Sequence, residues 1–124
     1  MGVEFLGMNA GEAQIGLTLN EHHMNSWQVA HGGVSLTLLD VAMAMATRSL
    51  DARVRAGVTV EMKTSFLQSA GKPGERLLAK GKVWHRSTTL CFCEAELWNG
   101  ERLVAKAMGT FKMLKRLDAA PRIK

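Results

Sequence analysis

The stretch HGGVSLTLLDVAMAMATRSL, from His31 to Leu50, is the longest apolar segment of the chain and carries one acid, Asp40. Its Leu, Met and Ala residues favour helix, and no proline interrupts it. Between Val34 and Ala46 apolar residues occupy every side of that helix, which is typical of a buried helix. The apolar run from Val34 to Ala46 is shorter than the roughly 18 residues of a membrane span. The sequence therefore predicts one central helix with a carboxylate held inside the domain.

Length and composition indicate one globular domain. The 124 residues are 47% hydrophobic and 22% charged, which is enough for a hydrophobic core. The net charge of +5 suits an anionic partner without identifying it. Basic residues are scattered, and their one cluster, from Lys112 to Lys124, is typical of a solvated terminus. We expect residues 1–124 to form a single domain with a flexible tail from about 115 to 124.

The cysteines and the first residues bear on location. Cys91 and Cys93 would point to the same face of a strand, where such close neighbours make a poor structural disulfide. Free buried thiols fit a reducing cytoplasm. The opening MGVEFLGMNAGE lacks the basic start and long apolar centre of a secretory leader. We therefore expect a cytoplasmic protein.

Alternating residues predict five strands around the helix, at about 12–20, 57–67, 77–84, 89–98 and 102–114. In GVTVEMKTSFL, the second of them, Thr59, Glu61 and Lys63 would share one face and the even-numbered residues the other. The remaining segments are predicted to be connections, at 21–30, 51–56, 68–74 and 85–88.

The connections between the later strands are short, and Asn99-Gly100 is a strong hairpin signal. Successive strands joined by short turns are antiparallel neighbours. The predicted fold class is therefore α+β, a curved antiparallel β-sheet wrapped around one long central α-helix.

Several motifs follow one another around the helix. Asn25 stands six residues before His31, His-Gly-Gly opens the helix, and Asp40 follows nine residues after His31. The phrases GVTVEMKTSFLQSA, VWHRSTTL and LVAKAMGTF come later, in strands. In this combination the chain resembles the hotdog-fold acyl-CoA thioesterases, in the phenylacetate-pathway (PaaI-like) branch of the 4-hydroxybenzoyl-CoA thioesterase superfamily. The resemblance covers about residues 10–114 and implies a hotdog fold and hydrolysis of an aryl- or medium-chain acyl-CoA to a free acid and CoA.

The start of the helix suits this chemistry. First-turn N–H groups carry partial positive charge, and glycines allow a carbonyl oxygen to approach them, so Gly32 and Gly33 could form an oxyanion hole. The resemblance implies this role for Gly32, and Asn25 could donate an amide hydrogen nearby. Asp40, among Leu and Met, would be a poorly solvated carboxylate that acts as general base or as nucleophile. The sequence leaves both routes open.

The resemblance assigns further roles. Thr59 takes the place of a Ser or Thr that positions water near the acid, and His31 is expected to orient rather than to transfer a proton. Substrate and CoA contacts are implied for Gly33, Val58, Arg86, Ser87 and Thr88, with Arg86 on phosphate. Ser87 departs from the family's usual Gly, and Ser69 from its usual Pro. No metal and no separate cofactor are expected, because CoA is part of the substrate.

Helix geometry predicts a shared site. Gly33 and Asp40 are seven residues apart, or about 10 Å at 1.5 Å per residue, which is too far for one thioester to reach both. The site would form more easily between two chains, as the resemblance also implies. We expect a homodimer or a homotetramer (a dimer of dimers), with Asn25, His31 and Gly32 of one chain facing Asp40 of the other.

Other interpretations remain. A non-catalytic acyl-CoA-binding or regulatory hotdog domain would keep the pocket and lose the acid, whereas Asp40 is present. A hotdog dehydratase or hydratase would need a histidine soon after the acid, and none occurs between Asp40 and His85. Nucleic-acid binding is disfavoured because the chain has neither a helix-turn-helix nor a zinc motif, and no membrane partner is expected.

Simple structural roles also stay open: Asp40 as a loop cap, Thr59 as a strand residue and Arg86, Ser87 and Thr88 as a solvated strand end.

Overall fold

The computed structural model describes residues 2–115 of the chain. Six strands and one long helix make up this part of the protein. In chain order the elements are β1 (Glu4–Asn9), β2 (Glu12–Thr18), a 3-10 helix (Glu21–His23), α1 (Gly32–Arg48), β3 (Val54–Phe66), β4 (Arg76–Arg86), β5 (Leu90–Asn99) and β6 (Arg102–Lys115).

The strands form one antiparallel sheet in the order β1-β2-β4-β5-β6-β3. Helix α1 packs on one face of this sheet and contacts all six strands. Since β3 follows the helix in sequence but pairs with β6, the helix crosses the sheet before β3 takes up its far edge. The predicted hotdog arrangement, one long helix against a curved antiparallel sheet, is confirmed.

The helix is buried on one side only, which corrects the prediction of burial all round. Leu38, Leu39 and Ala42 are fully buried against the sheet, whereas Leu36 is 40% exposed and Asp40 lies only partly buried. The reason is that the sheet covers a single face of the helix, so the apolar residues on the opposite face have no cover within the subunit. Among residues 2–115, no helix is both long enough and apolar enough to cross a membrane.

Glycines let the helix lie directly on the sheet. A Cβ atom added to Gly81 of β4 would overlap the backbone carbonyl of Ala42 in α1. A Cβ on Gly57 of β3 would come 2.9 Å from the Cβ of Thr47. These two positions set the distance between the helix and the sheet, and hence where Asp40 stands relative to β3.

Two predictions of the strand pattern were wrong. Strand β1 was missed because its apolar residues do not alternate between buried and exposed: Phe5 and Leu6 are both exposed, and the pairing with β2 shifts register between Phe5 and Gly7. The predicted break at 85–88 begins later, because a second register shift, between Val83 and His85, lets β4 continue to Arg86.

Two other predictions concern the cysteines and the tail. Cys91 and Cys93 are both buried free thiols on the helix side of β5, as predicted. The predicted flexible tail falls outside the described residues, except for Lys115, which ends β6.

Candidate active site

Asp40 and Thr59 are two predicted catalytic residues that the structure brings into contact. The Thr59 hydroxyl donates a hydrogen bond of 2.6 Å to Oδ1 of Asp40. Asp40 projects from the middle of α1, and Thr59 lies on the neighbouring edge strand β3. Thr59 is exposed and Asp40 partly so, which keeps the pair open to water and to a ligand.

A β-bulge turns Thr59 toward the helix. Thr59 pairs with Phe111, which is fully buried beneath α1, whereas Glu61 pairs with Thr110 and accepts its hydroxyl hydrogen at 2.8 Å. The extra residue, Val60, interrupts strict alternation, as bulges do. Thr59 and Glu61 therefore face opposite sides of the sheet. Glu61 and Lys63 share a face as predicted, whereas the prediction that Thr59 shares it was wrong.

Asp40 stands on the open stripe of the helix. Leu36 and Ala44, one turn before and one turn after it, are also incompletely buried. The prediction that the carboxylate is held inside is thus corrected for the single subunit. The Thr59 bond occupies one oxygen of Asp40, so its other oxygen is the one placed to meet a water molecule or a carbonyl carbon.

The start of the helix presents open N–H groups. His31 is the N-cap residue, and its side chain makes no capping hydrogen bond. Gly32 and Gly33 are both exposed. The N–H groups of Gly32 and Gly33 therefore stand at the exposed, positive end of the helix dipole, where the sequence analysis expects the oxyanion hole, whereas the Val34 N–H is bonded to the carbonyl of His31.

Phe66 of β3 lies beside the helix start. Its exposed ring is 3.8 Å from where a Cβ on Gly32 would stand. The ring forms an apolar wall beside the helix start. The path of α1 across the sheet brings the ring and the helix start together, and that path is not readable from the local pattern around Phe66.

Asn25 is held in a tight loop ahead of the helix. Its Oδ1 accepts the backbone N–H groups of Trp27 at 2.8 Å and Val29 at 3.3 Å. The loop is tied to the helix start because the His31 N–H donates to the carbonyl of His23 at 2.9 Å. With Oδ1 engaged in this way, the amide Nδ2 group of Asn25 is the end that can donate to a ligand.

Arg86, Ser87 and Thr88, three of the predicted CoA-binding residues, lie away from the helix start. Arg86 has its Nη1 3.7 Å from Oδ2 of Asp51, just past the C-terminal end of α1, and Lys115 donates to the carbonyl of Thr88 at 3.1 Å. The 17-residue helix spans about 25 Å, so these residues are far from Gly32 within one subunit. Ser87 closes the intervening turn through bonds to Leu90.

The backbone N–H of Arg53 and the nearby cations hold the pKa of Asp51 below its usual value, so Arg86 faces a carboxylate that stays charged.

Val58, the remaining predicted contact, pairs with the exposed Lys112 and faces away from the helix. Within residues 2–115, no three His, Cys, Asp or Glu side chains gather as metal ligands would.

The model of one protein family, described as the thioesterase superfamily, matches residues 28–106, which is more than half of the chain and includes Asp40 and Thr59. The chain belongs to the thioesterase superfamily. Asp40, Thr59 and the start of α1 therefore lie in a protein whose family consists of thioester hydrolases.

Relatives in this superfamily carry related names. A provisionally named esterase of Saccharolobus solfataricus is 30% identical over 125 residues, covering 96% of this chain and 78% of that protein. Acyl-coenzyme A thioesterase 13 of Mus musculus is 30% identical over 83 residues, covering 67% of this chain and 58% of that protein.

A solved structure is also similar over nearly the whole of both chains. The hypothetical thioesterase protein of Streptococcus pneumoniae, crystallised with coenzyme A, superimposes with a TM-score of 0.84 at 27% identity, covering 94% of this chain and 92% of that chain.

Proposed function

We propose that this thioesterase-superfamily member is an acyl-CoA thioesterase, which hydrolyses an aryl- or medium-chain acyl-CoA to the free acid and CoA. The observation that carries the proposal is the 2.6 Å hydrogen bond from Thr59 to Asp40 on the open side of α1. A carboxylate fixed by a hydroxyl, yet open to water, is the group that such a hydrolysis requires. The relative named acyl-coenzyme A thioesterase and the similar structure containing coenzyme A support the choice of substrate.

The proposed reaction uses the helix start and the acid together. The thioester carbonyl oxygen accepts hydrogen bonds from the N–H of Gly32 and from the amide of Asn25, which stabilise its negative charge as the carbonyl carbon becomes tetrahedral. In the general-base route, Asp40 takes a proton from water as the water oxygen bonds to that carbon. Collapse of the adduct then breaks the C–S bond, and CoA leaves as the thiolate.

Asp40 as nucleophile is the second route. Its carboxylate oxygen would attack the carbonyl carbon and expel CoA thiolate, leaving a mixed anhydride that water then hydrolyses to the free acid. In either route His31, the N-cap residue, orients the helix start, and Thr59 fixes the carboxylate or a water molecule beside it.

Two subunits would complete the site. Gly33 and Asp40 lie on one helix, about 10 Å apart, so the same thioester reaches Asp40 of one subunit and the helix start of another. The exposed edge of β3 lies beside Asp40, and Val60 on it is 58% exposed. An apolar, unpaired strand edge is a surface that a second strand would cover. We therefore place the dimer interface along β3 and the open stripe of α1.

Arg86, Ser87 and Thr88 are proposed to hold the phosphate-bearing end of CoA. They are exposed, and Arg86 and Lys115 supply positive charge next to them. In a dimer these residues need not lie near the Gly32 of their own subunit, because the acyl end can reach a helix start of the neighbouring one. Gly33 and Val58 are proposed as secondary contacts.

A substitution on the strand edge tests the shared site. Val60→Lys places a charge on the proposed interface, and we expect it to halve the mass of the native assembly measured by light scattering and to abolish thioester turnover. Leu6→Lys is a matched control, because Leu6 is also an exposed apolar residue at a bulge on an edge strand and is 48% exposed. It should leave mass and turnover unchanged. A single-chain native protein that hydrolyses acyl-CoA would contradict the shared site.

The activity itself is tested by CoA release from a panel of aryl- and medium-chain acyl-CoA esters, monitored by a thiol reagent. Turnover of one or more esters supports the proposal, and the panel names the acyl class. Tight binding of these esters without release of CoA would instead establish a non-catalytic acyl-CoA-binding domain.

A further inference from the structure

The chain reaches the start of α1 through a short hairpin, which we call the entry hairpin and define as residues 23–31. An isolated β-bridge closes it, and at its base the His31 N–H donates to the carbonyl of His23 at 2.9 Å. Asn25 lies inside the entry hairpin, and its N–H donates to the carbonyl of Val29 at 2.9 Å. The entry hairpin therefore carries the Asn25 amide and ends at the N-cap residue of α1.

The tip of the entry hairpin projects into solvent. Trp27 at the tip is 83% exposed. Gln28 has a φ of 60°, a left-handed conformation that is uncommon for a residue other than glycine. The two hydrogen bonds that Oδ1 of Asn25 accepts are internal to the hairpin, so they fix its shape but not its place on the subunit. That place is set at the base, where one tie is the bond from the Ala30 N–H to the carbonyl of Gly71 at 3.1 Å.

His23 provides a second tie, from the base of the entry hairpin to the end of β2. Its imidazole is only 6% exposed, and Nδ1 accepts the N–H of Asn20 at 2.9 Å. Asn20 directly follows Leu19, which is buried in the core and whose N–H donates to the carbonyl of Glu75 at 2.8 Å. The His23 ring is therefore bonded to a part of the chain that the core holds in place.

The two ends of His23 connect this fixed point to the start of α1. The imidazole is bonded to Asn20, and the backbone carbonyl is bonded to the N–H of His31, the N-cap residue. Gly32, the next residue, supplies the N–H of the proposed oxyanion hole. An apolar side chain of similar size at position 23 would keep the burial but lose the bond to Asn20, so the base of the entry hairpin would be held less firmly.

We propose that His23 is a positioning residue, a role that rests on the proposed function. Its imidazole holds the Asn25 amide and the Gly32 N–H at the place where negative charge develops on the thioester oxygen. Such donors act mainly on the tetrahedral adduct and less on the bound ester. Displacing the entry hairpin should therefore lower kcat much more than it raises KM.

The test compares CoA release by three variants with that of native protein. His23→Leu removes the acceptor, and we expect kcat to fall about tenfold or more while KM stays within about threefold, since only donors to the developing oxyanion are displaced. His23→Asn supplies an amide oxygen as a new acceptor and should recover most of the lost kcat. His22→Leu is the matched control, because His22 is exposed in the same 3-10 turn, and its kcat should equal that of native protein.

A double-mutant cycle shows whether His23 acts through Asn25. In an Asn25→Ala background one of the positioned groups is already gone, so His23→Leu should lower kcat by a smaller factor than it does in native protein. Equal factors in the two backgrounds would overturn the positioning of Asn25. A kcat for His23→Leu equal to that of His22→Leu would overturn the role of the imidazole.

Amide hydrogen exchange tests the placement of the entry hairpin without using the activity. The N–H groups of Asn25 and His31 should exchange about tenfold or more faster in His23→Leu than in native or His22→Leu protein, because exchange reports local opening. Unchanged exchange of the β5 amides verifies that the variant is folded. Equal exchange at Asn25 and His31 in native and His23→Leu proteins would overturn the proposal. Absence of CoA release by native protein would refute the proposed activity, whereas the exchange rates would still decide whether His23 holds the hairpin.

Discussion

The Thr59 hydroxyl fixes the orientation of the Asp40 carboxylate. The hydrogen bond between them, 2.6 Å long, favours one rotamer of the acid and leaves its second oxygen directed at the open stripe of α1. Threonine suits this position because a β-branched side chain in a strand has few rotamers. The hydroxyl and the acid therefore act as one unit.

Replacing Thr59 tests whether its hydrogen bond to Asp40 takes part in the reaction. Thr59→Val keeps the shape and removes the donor, and we expect turnover of acyl-CoA to fall about 10- to 100-fold, since a hydrogen bond to a charged group is worth about 1.5–3 kcal/mol. Thr59→Ser restores the donor and should stay within about threefold of native. The measurement is kcat and KM for CoA release; equal kcat in native and Val variants would show that the bond has no part in the reaction.

The buried thiols provide a pH-dependent prediction. Burial raises the pKa of Cys93 to about 11, and only the Thr47 hydroxyl opposes that effect. Two pKa units above an ordinary thiol mean about a hundredfold less thiolate near pH 8. We expect the folded protein to react with a thiol reagent about a hundredfold more slowly than the urea-unfolded chain.

The raised pKa of Cys93 also makes the free energy of unfolding depend on pH. The unfolded thiol ionises near pH 9 while the folded one stays neutral, so its contribution to the free energy of unfolding is complete below pH 9 and is lost as the pH rises toward 11. Cys93→Ala should flatten this part of the stability–pH curve. Fast labelling of the native protein at pH 8 would contradict the burial of the thiols.

At the scale of elements, the contact of α1 with β4 is set by Gly81. A Cβ there would overlap the carbonyl of Ala42, which is helix backbone and cannot move alone. Gly81→Ala should therefore lower the free energy of unfolding by about 1–3 kcal/mol or more, measured by urea denaturation. Gly33→Ala is the control: a Cβ there meets nothing within 4 Å, and no loss of stability is expected. Equal stability of the two variants would refute the close contact.

The sequence predicted the helix and most strands but not the irregularities between them. The helix extent and strands β2, β5 and β6 follow from periodic apolar residues. The bulges at Val60 and Trp84 do not, because a register shift depends on the partner strand and leaves no local period in the sequence. This is why Thr59 was predicted on the wrong face.

At the scale of the whole molecule, the candidate site could be predicted only in part. Asp40, Gly32 and Asn25 were predicted from motifs and helix chemistry, and one subunit brings Asp40 and Thr59 together. The distance from Asp40 to the helix start follows from their spacing on one helix. The spacing of residues in the sequence does not predict which surfaces of the chain remain exposed, because exposure depends on the path of every strand.

The most direct measurement is the rate of CoA release by native protein and by Asp40→Asn on the same acyl-CoA ester. The substitution keeps the volume of the side chain and can still accept the Thr59 hydrogen bond, but it removes the charge. We predict that turnover falls about a hundredfold or more, while the melting curve and the affinity for the ester change little. Equal turnover by the two proteins would contradict Asp40 as the reacting group.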